Sequence, residues 1–133
     1  MKKILAAVLA VILVVALTSC AYSESFIGIG MVENRANGHV KLSFMSFKGK
    51  KVITIRCAEG ESVFYEASLE SGSMTVSFDV KKETVDSFTL EPTDGFSGVT
   101  GPFQKATVYI TLYAAEKCEN GSFDFWTEAP EPV

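Results

Sequence analysis

The chain has 133 residues, 47% of them hydrophobic, with twelve basic against sixteen acidic side chains and a net charge of −4. That is one domain's worth of chain with enough apolar residues for a core, and its acidic balance argues against nucleic acid as a partner. One histidine and three separated cysteines fall short of a transition-metal centre, which needs several N or S ligands at close spacing, and no cofactor-binding motif is present.

In chain order, Lys2 and Lys3 precede an unbroken apolar run from Ile4 to Leu17. The run fits a signal-peptide core and is shorter than the ~20 residues that span a bilayer. The closing Leu17-Thr18-Ser19-Cys20 resembles the lipobox of bacterial lipoproteins, a Leu, two small residues and a Cys. The resemblance implies a diacylglyceryl group on the Cys20 thiol, removal of residues 1–19, and a protein lipid-anchored on the extracytoplasmic face of a membrane, at the cell surface or in a periplasm. Two acyl chains hold stably where one does not. Cleavage after Ala21, or an uncleaved helical anchor, are the alternatives. No acidic residue precedes Cys20 but Lys2 and Lys3 do, so the chain beyond residue 19 carries −6. Anionic headgroups repel such a body and leave the anchoring to the lipid. The tether, residues 20–25, reaches about 17 Å at most beyond Cys20.

Phe26–Val32 reads as a first strand with two glycines, and Asn37-Gly38 as a turn. Val40, Leu42 and Phe44 share one strand face, with Met45 and Phe47 out of phase, the mark of a bulge or of burial on both faces. Lys48–Lys51 reads as a polar connection to a return strand, Val52–Cys57. Ala58–Glu61 is the next turn. Val63, Tyr65, Ala67 and Leu69 alternate with polar or small residues apart from Phe64, and Glu70-Ser71-Gly72-Ser73 reads as a hairpin. Met74, Val76, Phe78 and Val80 form the cleanest strand, followed by a charged turn at Lys81–Thr84 and a strand at Asp86–Leu90. Glu91–Gln104, interrupted by Pro92, Gly95, Gly98, Gly101 and Pro102, reads as a long irregular loop. Lys105–Ala115 is a strong strand, Asn120-Gly121 a hairpin signal, and Ser122–Trp126 the closing strand.

Turn signals every 8–12 residues predict an all-β fold: an antiparallel β-sandwich, immunoglobulin-like or jelly-roll-like, of seven to eight strands over residues 26–128, with 129–133 as an unstructured tail. The run Val40–Val80 is similar to small β-sandwich domains of bacterial surface lipoproteins, which generally have no assigned activity. The similarity is one of turn chemistry and implies fold alone.

Chemistry-bearing residues are few. Parity points Cys57 and Cys118 into the core, making them a candidate disulfide or two buried thiols. His39 lacks a nucleophile partner and a Gly-x-Ser-x-Gly elbow, and reads as an exposed strand-edge residue. Gly28-Ile29-Gly30 lacks the third glycine and the helix of a dinucleotide loop. Asp79, Glu83, Asp86 and Asp94 form no Asp-x-Asp-x-Asp calcium loop and read as a solvated acidic rim. Tyr109, Tyr113, Phe125 and Trp126 are either core or an aromatic platform, with Trp126 the leading platform residue. The expectation is therefore a non-enzymatic envelope lipoprotein, a binding or structural module. Two alternatives stand beside it. One captures glycan or a small ligand at the 91–104 loop, through Trp126, Asp94, Tyr109 and Tyr113; the other is an inhibitor or immunity-like factor with an exported protein as partner.

Overall fold

The computed structural model describes residues 23–128, so the signal segment, Cys20 and the tail after Glu128 lie outside the described residues. The strands are β1 (Ser25–Ile29), β2 (Val32–Ala36), β3 (His39–Cys57), β4 (Ser62–Ser71), β5 (Met74–Val80), β6 (Glu83–Leu90), β7 (Thr93–Thr100) and β8 (Ala106–Glu128). Every pairing is antiparallel. This is the all-β sandwich that the turn spacing predicts.

Two strands belong to both layers. The first half of β3 pairs with the end of β8 (His39 opposite Trp126), and the second half pairs with its beginning (Cys57 opposite Ala106). Around the first half of β3 and the end of β8 lies one layer, ordered β2-β3-β8-β4-β7. Around the second half of β3 and the beginning of β8 lies the other, ordered β1-β3-β8-β5-β6. Ring contacts between the layers, Tyr65 on β4 with Phe78 on β5 at 5.4 Å and Phe78 with Phe125 on β8 at 6.2 Å, show the inner faces meeting.

The bends explain the phase change seen in β3. Val40, Leu42 and Phe44 are buried, then Phe47, Ile53, Ile55 and Cys57. A side-chain period of two cannot keep one face inward while the strand turns a corner, so the ladder slips between Phe47 and Gly49. Gly49 has φ 114°, and a Cβ there would strike the carbonyl of Ser25 and the Cα of Phe26. Lys48–Lys51 is thus the corner of one continuous strand and not a connection. Lys51 falls on the inward parity, where its ammonium lies 3.6 Å from Glu33, 3.8 Å from Glu24 and 5.0 Å above the ring of Phe26.

Four other readings are corrected. Asn120-Gly121 lies inside β8, because Asn120 takes φ 50° at a bend and Gly121 makes room for the ring of Phe44. Glu70–Ser73 joins strands of different layers and forms no hairpin: β4 pairs with β7 and β8, β5 with β6 and β8. The segment 91–104 contains β7, whose glycines are accommodated at a sheet edge; the ring of Tyr65 occupies the space that a Cβ on Gly98 would need. Phe26–Val32 is split by Gly30 (φ 62°) into β1 and β2.

Cys57 and Cys118 are both buried, and both are free. The disulfide fails on register. Cys57 is opposite Ala106 whereas Cys118 is opposite Phe47, about a dozen residues away along β8 at ~3.3 Å each, against the ~7 Å limit for bridged Cα atoms. Cys118 Sγ instead donates to the carbonyl of Ser73 at 3.3 Å. Burial, with Glu61 adding to it, pushes the Cys57 thiol up to about 11 from its ordinary 9.0; burial also raises Cys118.

Two predictions follow from these corners and thiols. Gly49→Ala adds left-handed strain and a collision with backbone, each costing about 1–3 kcal/mol, so chemical denaturation should show a loss of about 2–6 kcal/mol. The folded state holds the Cys57 proton where the unfolded state has released it. Its contribution is complete below pH 9 and disappears as pH rises through about 11. Melting temperature should fall across that window, and less steeply in Cys57→Ala.

Candidate functional site

The outer face of the β2-β3-β8-β4-β7 layer carries the side chains that the core rejects. Register sorts them into rows across the strands. One row runs Val99, Phe64, Trp126, His39 and Ala36; the next runs Ser97, Glu66, Asp124, Lys41 and Asn34; the third holds Ser68, Ser122, Ser43 and Val32. The small third row leaves space, and a groove of about 570 Å³ crosses the layer. Its floor includes Ser43, Ser122 and Ser68, one wall is Val32 and Asn34 of β2, and the other is Asp94–Ser97 of β7.

A bulge aims the far wall. The β4–β7 register shifts between Ala67 and Leu69, so Asp94 and Gly95 together face Ser68. Extra residues of this kind redirect side chains at sheet edges. Thr93 Oγ1 braces the bulge by accepting from the Gly95 amide at 3.2 Å.

The aromatic row borders the groove. Phe64 and Trp126 are stacked, with ring centroids 5.9 Å apart and an interplanar angle of 17°. His39 meets the indole edge-on at 6.4 Å, and its Nε2 lies 2.5 Å from Asp124 Oδ1. Asp124 also lines the shallower depression around His39 and Trp126, so one carboxylate joins the aromatic platform to the polar groove. Asp124 has the cation Lys41 opposite it on β3 and the carboxylate Glu66 opposite it on β4. Like charges placed directly across strands are destabilising. Among the described residues no ion pair relieves Glu66.

The four ligand candidates from the sequence are divided between two surfaces. Trp126, half-buried, and Asp94 share this outer face. Tyr109 and Tyr113 lie on the outer face of the other layer, opposite Thr54 and Lys50 on β3 and opposite Asp79 and Thr75 on β5. Phe125 is fully buried and belongs to the core. His39 is held by Asp124, and the serine row lies two rows away, about 13 Å along the strands. Among the described residues no three ligating side chains cluster around a metal position. Sequence reading missed Glu66, Lys41, Asn34 and Phe64. Of these, Phe64 left a signal, an aromatic residue at a polar position of an alternating strand; the others become a set only when strand order is known.

No protein-family model matches the sequence, and comparison with curated proteins finds no match. Solved structures of similar arrangement include TmCBM61 in complex with β-1,4-galactotriose, at 15% identity and a TM-score of 0.48, covering 84% of this chain and 92% of that one. A variant of CBM29-2, a family 29 carbohydrate-binding module complexed with mannohexaose, matches at 13% identity and a TM-score of 0.43, covering 82% and 87%. The CBM36-1 domain of a multidomain xylanase from the hindgut metagenome of Trinervitermes trinervoides matches at 12% and 0.42, covering 84% and 100%. At these identities the likeness concerns β-sandwich architecture alone.

Proposed function

We propose that this protein is a non-catalytic glycan-binding module, held on the outer side of a membrane by a lipid on Cys20. The observation that carries the binding reading is the stacked Phe64–Trp126 pair bordering an edge-to-edge groove of hydrogen-bonding side chains. The C–H faces of sugar rings pack on such a platform, and buried aromatic anchors dominate binding energies. Hydroxyls alongside are met by the carboxylates of Glu66, Asp94 and Asp124, the ammonium of Lys41 and the amide of Asn34. An open groove with few, fixed polar groups suits an extended ligand. Three carboxylates against one lysine favour neutral sugars over polyuronates. The membrane part rests on the basic start, the apolar run and the Leu17-Thr18-Ser19-Cys20 box. Cys20→Ala is expected to abolish membrane association and leave the unprocessed mass; unchanged association and mass would remove the anchor from this reading.

Binding is tested by affinity electrophoresis through a panel of soluble neutral and acidic polysaccharides. Retention is expected on at least one neutral polymer, weakened about tenfold or more by Trp126→Ala, which is 1.4 kcal/mol or more, and unaffected by Tyr113→Ala on the opposite face. Loss in Tyr113→Ala with retention in Trp126→Ala would move the site to the other layer. Glu66→Gln separates binding from folding. Removing the like-charge pair should stabilise the fold by about 0.2–1 kcal/mol while weakening retention, since a carboxylate kept at a cost to stability is kept for its ligand.

A further inference from the structure

Four exposed apolar side chains gather where β1 and β2 follow the corner of β3. Ile27 is 70% exposed, Met45 62%, Ile29 58% and Val32 53%. They form one surface: Ile27 and Ile29 share the outward parity of β1, Val32 starts β2, and the side chain of Met45 lies over Gly30 between them. Lys48 stands directly across from Ile27, and Lys50 across from Ser25. A contiguous apolar patch of this kind on a soluble face marks an interaction site.

We infer that this corner is the membrane-facing side of the domain, seated on the bilayer surface with Ile27, Ile29 and Met45 at the acyl boundary and Lys48 and Lys50 at the headgroups. The inference rests on the lipid anchor at Cys20 and names what that anchor presses against the membrane. Chain length selects the occupant. β1 begins at Ser25, about 17 Å of fully extended chain from Cys20, so the patch is the part of the domain that the tether delivers to the lipid. Charge agrees: a body of net −6 is repelled by anionic headgroups, and two lysines on the patch rim give the attraction locally. Apolar contact adds the second signal that makes shallow anchoring stable. The bound orientation also has a consequence for the groove. The patch and the groove share an edge, since Val32 belongs to both, and the far wall, Asp94–Ser97 of β7, is at the layer edge farthest from the lipid.

The test uses the full-length, processed chain in vesicles of phosphatidylcholine with a minority of phosphatidylglycerol and nitroxide-bearing lipid. Fluorescent labels are placed singly at Ile27→Cys, Met45→Cys, Ser87→Cys and Ser97→Cys; the native Cys57 and Cys118 are buried and take no label in the folded chain. Each variant is matched to the parent by its melting curve, with Val32→Cys replacing either patch variant that fails. Loss of fluorescence at 27 and 45, with none at 87 and 97, is expected. Anchored chain with no quenching at 27 and 45, or with equal quenching at all positions, overturns the inference and leaves the anchor intact. Quenching at 27 and 45 replaced by label-to-label contact between chains overturns it in favour of a second copy. A mass lacking the lipid overturns the anchor and this inference together, and glycan retention, measured separately, is unaffected by either result.

Discussion

The ladder between β3 and β8 is the interaction on which the rest depends. It is the centre of both layers, so each layer's outer strands hang from one shared pair. Sharing requires both strands to turn a corner, and the corners set the demands for particular residues: Gly49 with φ 114° against the backbone of Ser25, and Gly121 under the ring of Phe44. A chain of aromatic rings follows the same path, from Phe26 through Phe47, Phe44, Phe123 and Phe125 to Phe78 and Phe88, each within 6.4 Å of the next. Backbone pairing and ring packing therefore tie the layers together along one line, and the outer face inherits its geometry from that line.

What the sequence made legible was what depends on a period of two. The buried positions of β4 and β5, and those of each half of β3 and β8, follow directly from alternation. Phase changes and glycines misled because two different structures use the same residues. Gly-Lys and Asn-Gly pairs suit tight hairpins, yet they also suit a strand that bends between layers, and only the partners across the ladder distinguish these. Lys51 illustrates the limit. Its type suggests solvent, while its parity and its two carboxylate partners place it inward.

The candidate site was legible in pieces. Trp126 stood out as the single tryptophan, and Asp94 as an acid in a glycine-rich segment. Their neighbours come from β2, β3, β4 and β7, and strand order β2-β3-β8-β4-β7 cannot be read from turn chemistry. The same reason separated Tyr109 and Tyr113 from Trp126. All three sit on β8 and face outward, but β8 changes layer between them, so outward means opposite directions.

The shared ladder also dictates the order in which the molecule can be made. Two hairpins are local: β2–β3 around Asn37-Gly38, and β5–β6 around Lys81 and Lys82, both with positive φ. The β3–β8 pairing instead joins segments with four strands between them, and such distant pairing is slow to form. Since β8 is the last strand of the described chain, a ribosome must finish it before either layer has a centre. Both layers therefore wait on that one pairing, because β4, β5 and β3 are paired together only through β8.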